Sequence, residues 1–128
     1  MRFLVVDDSV TMRRIVVNSL QRIGFTDIVE AGDGAEALEK VQRTPDGHAI
    51  DFVITNWSMP RVNGVDFTRT IRAHDATRAL PVLMVAPRSV RNEIQSAIDV
   101  GVDTYVLKPF TPQVLREKID AVLATRAA

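Results

Sequence analysis

The chain has 128 residues, enough for one domain with a real core, and its 46% hydrophobic and 25% charged residues are the ordinary balance of a soluble globular protein. Sixteen Lys and Arg balance sixteen Asp and Glu, which excludes a bulk field that would draw the molecule to nucleic acid or an acidic membrane. The absence of cysteine excludes a disulfide framework and a thiolate zinc site, and the apolar run FLVV near the N-terminus is too short for a secretory leader or a membrane span, so the expectation is a soluble, cytoplasmic chain.

FLVV at 3–6 is a continuous apolar run, which suits a strand buried on both faces of a parallel sheet. Residues 10–23 then take helical period: Met12, Ile15, Val16, Leu20 and Ile23 share a face, and Arg13, Arg14, Asn18 and Gln21 are left for solvent. DIVEA at 27–31 is a weaker strand whose mixed character suits a sheet edge. Asp33 with Glu36 makes a capping-box-like start for a helix over 34–43, with Ala35, Leu38 and Val41 in one stripe. RTPDGHAID at 43–51 reads as the one longer loop, with Pro-Asp-Gly as its turn.

The second half repeats the pattern. FVI at 52–54, VLMVA at 82–86 and YVL at 105–107 read as buried strands, while Phe67 with Ile71, and Ile94 with Ala97 and Ile98, anchor two helices between them. Thr111 is a good cap and Pro112 a good first residue for the last helix, whose apolar face is Val114, Leu115, Ile119 and Val122. The sum is (βα)5 in a single domain over 1–128. Such alternation predicts a doubly wound α/β sandwich, because right-handed crossovers put helices on both faces of a parallel sheet, with a ligand site beyond the C-terminal strand ends.

Those ends carry Asp7-Asp8, Asn56, Ala86 and Lys108. Paired carboxylates with a loop carbonyl beside them make a hard-oxygen site suited to Mg²⁺, and a lysine opposite can neutralise phosphate oxygens. Taken alone, the acid pair suits a solvated loop ahead of a Ser9 helix cap equally well, and Lys before Pro is often only a turn.

The blocks FLVVDDSVTMRRIV, AGDGAEAL, DFVITNWSMPRVNG, LPVLMVA and VGVDTYVLKPF, with the closing helix, resemble in order the receiver domains of bacterial two-component response regulators, above all the stand-alone CheY-type chemotaxis regulators. The resemblance spans nearly the whole chain and implies a flavodoxin-like sheet in the order 2-1-3-4-5. It also implies Asp8 as direct Mg²⁺ ligand, Asp7 acting through water, the Ser58 carbonyl completing the protein's share, Lys108 as phosphate-binding lysine with a cis bond to Pro109, and Tyr105 as the aromatic that moves on activation. Implied partners are a histidine kinase and a downstream protein such as a flagellar switch component, met by a monomer that is not itself an enzyme. Arg88, Arg91, Arg116 and Lys118 fall on the face of the fourth helix, fifth strand and fifth helix, which receivers use for partners; a merely solvated face is the competing reading.

Two signature positions depart from the family pattern. Asn56 stands where receivers have the phospho-accepting aspartate, and Ala86 where they have Thr or Ser; Asn63 replaces the Asp that many members carry before the loop glycine. In receivers a carboxylate oxygen attacks phosphorus while Mg²⁺ and lysine spread the charge of a loose transition state. An amide oxygen carries no full charge, so no phosphorylation is expected at 56. Asp7 and Asp8 with Lys108 leave a single negative charge, so Mg²⁺ should bind more weakly than in an intact receiver, although Asn56 can still offer an oxygen. Ala86 has no hydroxyl to coordinate a phosphoryl group, and Pro87 confines it to extended backbone, so coupling from site to surface should be weak.

Two explanations of Asn56 follow: a naturally degenerate receiver acting by partner binding, which Ala86 favours, and an ordinary phospho-receiver with an Asp-to-Asn substitution, which the retention of Asp7, Asp8 and Lys108 favours. An unrelated small-ligand sensor or enzyme on a flavodoxin-like fold lacks a Gly-rich phosphate loop, a cysteine nucleophile and a triad. Elsewhere the expectations are plain: His48 and His74 solvated, Trp57 loop-exposed, Met12 and Met84 in the core, and Met59 packed in its loop beside Pro60.

Overall fold

A computed structural model of the chain describes residues 1–42, 49–59 and 62–127. In chain order the elements are β1 (Phe3–Val6), α1 (Val10–Arg22), β2 (Ile28–Ala31), α2 (Gly34–Gln42), β3 (Phe52–Asn56), α3 (Gly64–Ala73), β4 (Val82–Ala86), α4 (Ile94–Asp99), β5 (Thr104–Leu107) and α5 (Pro112–Ala127). A stretch of 3₁₀ helix over Arg88–Glu93 leads into α4. The strands form one parallel sheet in the order β2-β1-β3-β4-β5, which is the doubly wound, flavodoxin-like arrangement expected.

The continuous apolar runs are explained by where alternate residues go. Phe3, Val5, Phe52, Ile54, Leu83, Val85 and Val106 pack on one side against Val16, Val17 and Leu20 of α1 and Leu115, Ile119 and Val122 of α5. Leu4, Val6, Val53, Val82 and Met84 pack on the other, against Ala37 of α2, Phe67 and Ile71 of α3 and Ala97 of α4. Both faces of the central strands therefore meet a helix layer, and each such buried Leu, Ile or Phe contributes roughly 1.5–3 kcal/mol.

Helix starts follow their caps. Ser9 Oγ accepts from the Met12 N–H at 3.2 Å, Asp33 Oδ1 from Glu36 N–H at 2.8 Å, and Thr111 Oγ1 from Val114 N–H at 3.1 Å. Glu36 turns back to the Gly32 N–H, one residue earlier than a strict capping box, which holds its carboxyl below the usual range.

Several expected faces are corrected. In α1 the buried positions are Val16, Val17, Ser19 and Leu20, while Ile15 is exposed, because the face α1 turns to the sheet is shifted toward Val17 from the stripe read from the sequence. In α2, Ala37 is buried and Ala35 exposed, and Ile98 and Val114 also face outward. β3 runs two residues beyond its apolar run, since Thr55 and Asn56 still pair with β4. Trp57 is half-buried against the core and not loop-exposed, whereas Met59 is packed from its loop into the core as expected. Met84 is core as expected, whereas Met12 is only half-buried. The Pro-Asp-Gly turn, His48 and Pro60 lie outside the described residues.

Candidate functional site

Sheet register decides which residues meet. Val6 pairs with Thr55 across β1 and β3, so the next residues, Asp7 just past β1 and Asn56 closing β3, are neighbours at the sheet edge. Ala86 closes β4, and its carbonyl accepts from the Lys108 N–H at 2.9 Å, which places the lysine on the same edge. The structure thus brings together Asp7, Asn56, Ser58, Ala86 and Lys108, with Asp8 following Asp7 on the exposed rim.

Asp7 is the buried acid, at 2% exposure. One oxygen accepts from the Ser9 N–H at 2.9 Å as α1 begins. Burial pushes the Asp7 carboxyl above its ordinary range and the neighbouring Asp8 adds to the rise, while the Ser9 N–H and the charge of Lys108 pull it back. The Lys108 ammonium makes no hydrogen bond among the described residues, so its action on the site is this pull on Asp7.

Arg13 belongs to the site although the helical pattern assigned it to solvent. Its guanidinium donates to the Asp7 carbonyl at 2.7 Å and to Glu30 at 2.9 Å, bracing the end of β1 against β2. The signal was available in principle: Arg13 lies one helical turn after the Ser9 cap, directly above the strand end.

Asn56 is 8% exposed. Its Nδ2 donates to the Ser58 carbonyl at 2.8 Å and, over a longer 3.4 Å, to Asp7 Oδ1. Its Oδ1 is buried with no donor among the described residues, an arrangement that ordinarily costs about 1–3 kcal/mol. The backbone here is confined as well. A Cβ on Gly64 would lie 2.3 Å from the Asn56 carbonyl oxygen, so only glycine lets α3 start against the end of β3. The Gly64 N–H donates to the Trp57 carbonyl, and Asn63 caps α3 by accepting from the Asp66 N–H at 2.8 Å, a role open to asparagine and aspartate alike.

The fit to a divalent cation can be tested on these atoms. Asp7, Asp8, the Ser58 carbonyl and an amide oxygen are the right hard donors by type. As oriented, however, the amide turns its N–H groups to Ser58 and Asp7 and its oxygen away, so the set does not fit the ion in this arrangement.

Around the edge lie the remaining expected residues. Ala86 is fully buried and is followed by extended Pro87. Tyr105 is half-buried against the core, with the Lys118 ammonium 5.7 Å from its ring centre. Tyr105, Val114, Lys118 and Arg88 line an open groove of about 320 Å³ between β5 and α5. The peptide bond between Lys108 and Pro109 is cis. His74 is exposed at the end of α3, its ring Nδ1 3.0 Å from the Thr70 carbonyl, a solvated position as expected. No helix among the described residues is long and apolar enough to cross a membrane.

Comparison with known proteins agrees with the fold. The sequence model of the response regulator receiver domain matches residues 3–120. The chain is 44% identical over 125 residues to chemotaxis protein CheY1 of Helicobacter pylori strain J99, covering 98% of each chain. It is 46% identical over 122 residues to chemotaxis protein CheY of Pseudomonas aeruginosa, covering 95% of each. Among solved structures it is similar to the chemotaxis response regulator CheY4 of Vibrio cholerae, with a TM-score of 0.82 and 30% identity over 94% of this chain and 97% of that one. A putative response regulator from Chloroflexus aurantiacus superposes with a TM-score of 0.87 at 27% identity, covering 96% and 97% of the two chains.

Proposed function

The chain belongs to the response regulator receiver domain family, and from that premise we propose that it is a CheY-like receiver in chemotaxis-type two-component signalling whose output is protein binding without phosphoryl transfer. The observation that carries this reading is the Asn56 side chain, an amide whose nitrogen is engaged by the Ser58 carbonyl at the position of the family's nucleophile. A neutral amide has no carboxylate oxygen to attack phosphorus, and its product would not be an acyl phosphate.

Receivers generally bind Mg²⁺, which when present spreads the charge of a transferring phosphoryl group. In this chain Asp7, Asp8 and the Ser58 carbonyl would be its donors, and binding would be weaker than at an intact aspartate site, because one carboxylate is missing and the Asn56 amide turns its N–H groups, not its oxygen, toward them. Lys108 keeps a positive charge at the edge for a phosphate-like group, but Ala86 supplies no hydroxyl to report its arrival to Tyr105. The partner face is then fixed, not switched. Its Tyr105, Val114 and Lys118 groove is the surface we assign to a histidine kinase or to a downstream signalling protein such as a flagellar switch component, bound by a cytoplasmic monomer.

The test is chemical. After incubation with Mg²⁺ and acetyl phosphate, intact-mass analysis should show no hydroxylamine-labile phosphoryl adduct, whereas a labile adduct on any aspartate of the edge would overturn the reading.

A second reading is favoured by one observation, the survival of Asp7, Asp8 and Lys108 together at this edge: an ordinary Mg²⁺-dependent phospho-receiver with Asn in place of its acceptor. It requires that Asn56→Asp alone restore both phosphorylation and a change in the surroundings of Tyr105. On the first reading Ala86 keeps that second response absent.

A further inference from the structure

The amide of Asn56 meets the acid edge nitrogen-first. Nδ2 is 2.8 Å from the Ser58 carbonyl and 3.4 Å from Asp7 Oδ1, while Oδ1 lies buried with no donor among the described residues. A carboxamide has nearly the same shape when turned over, so half a rotation about its last bond would reverse the polarity at little steric cost. In the turned position the oxygens of Asn56, Asp7 and Ser58 would face one another, a set that repels itself unless a cation lies among them. In the observed position the N–H groups supply the positive end themselves, and the orphaned oxygen is the cost of keeping them there.

We propose that the Asn56 carboxamide is a built-in substitute for the divalent cation, its N–H groups holding the Ser58 carbonyl and the Asp7 carboxylate together so that the site is closed without metal. The proposal rests on the receiver reading above. It goes further by making the amide an occupant that any ion must displace, so that a missing charge is not the whole reason for weak binding. Asp8, exposed beside the site, is then the acid left to solvent, and Arg13 holds the Asp7 backbone in place whether or not an ion is present.

The experiment separates occupancy from charge. Mg²⁺ affinity is measured by calorimetric titration with MgCl₂ and by Trp57 fluorescence, on the unmodified chain and on its Asn56→Ala and Asn56→Asp variants. If the amide is an occupant, Asn56→Ala binds Mg²⁺ about tenfold more tightly than the unmodified chain although it has lost an oxygen, as expected when a hydrogen bond to a charged group no longer competes. Affinity equal to or below that of the unmodified chain overturns the proposal. Asn56→Asp reports on the receiver reading itself: it should bind more tightly under either account, and its failure to do so would overturn that reading and the proposal with it.

A measurement on the unmodified chain removes dependence on the alanine variant folding. The Asn56 side-chain NH₂ pair, assigned by its disappearance from the ¹H–¹⁵N spectrum of Asn56→Asp, should exchange slowly with solvent and stay in place in millimolar MgCl₂. Fast exchange, or a shift that saturates at submillimolar ion, overturns the proposal.

Discussion

At the N-terminal ends of the strands, Asp103 accepts from Arg72 at 3.0 Å, from both Nε and Nη2 of Arg126, and from the Val82 N–H at 2.7 Å. Arg72 spends its other donors on the carbonyls of Gly101, Arg78 and Leu80, and Arg126 donates also to the Ala79 carbonyl. At the C-terminal ends, by contrast, a buried acid sits next to an amide whose oxygen has no donor among the described residues, and the lysine nearby is unpaired among them. One end satisfies its polar groups and so holds the fold, since burial works against the Arg72 charge and Asp103 works for it. The other end leaves polar capacity unspent, which is how a structure signals a place for something besides itself.

The contrast can be broken from either side. The largest effect is expected from Gly64→Ala, whose Cβ would meet the Asn56 carbonyl at 2.3 Å and force α3 away from β3; we expect a loss of about 3 kcal/mol in urea unfolding. Next is Asp103→Ala, which strands two guanidinium groups and the Val82 N–H at the satisfied end and should cost about 2 kcal/mol. Its Trp57 response to MgCl₂ should stay that of the unmodified chain, and a changed response would mean the two ends are not independent.

The smallest effect has the opposite sign. Asp7→Asn removes a desolvated charge and should stabilise the chain at neutral pH with chelator present, as a higher thermal midpoint. The sign follows from linkage. The folded carboxyl titrates above its ordinary value of 3.8, so the folded chain binds the proton more readily than the unfolded one, and the penalty is full at neutral pH and relieved as pH falls toward 3.8. The advantage of Asp7→Asn should therefore shrink on acidification, and an advantage that grows would mean that burial is not what raises the Asp7 carboxyl.

The architecture was legible because the central strands are apolar without alternation, which a sheet covered on both faces explains, as Leu4 and Val5 show by entering different cores. The site was legible as a set of strand-end residues, since a parallel sheet carries Asp7, Asn56, Ala86 and Lys108 to one edge whatever their spacing in the chain. What periodicity could not supply was the angle at which a helix meets the sheet: Val17 and Ala37 took the buried positions read for Ile15 and Ala35. Nor could it supply the direction of a flexible or planar side chain. Arg13 turns inward because Glu30 and the Asp7 carbonyl await it, and the Asn56 amide is settled by the Ser58 carbonyl, a contact between residues two apart that no hydrophobic pattern encodes.

The knot around Arg126 also has a practical geometry. Because the last turn of α5 is tied to Asp103 and Ala79, ahead of β5 and β4, the helix ends on the face opposite the acid edge. A chain tethered to a sensor surface through the end of α5 would stand on its satisfied base with the acid edge outward, so that kinase fragments or Mg²⁺ could be offered to the site without obstruction from the anchor.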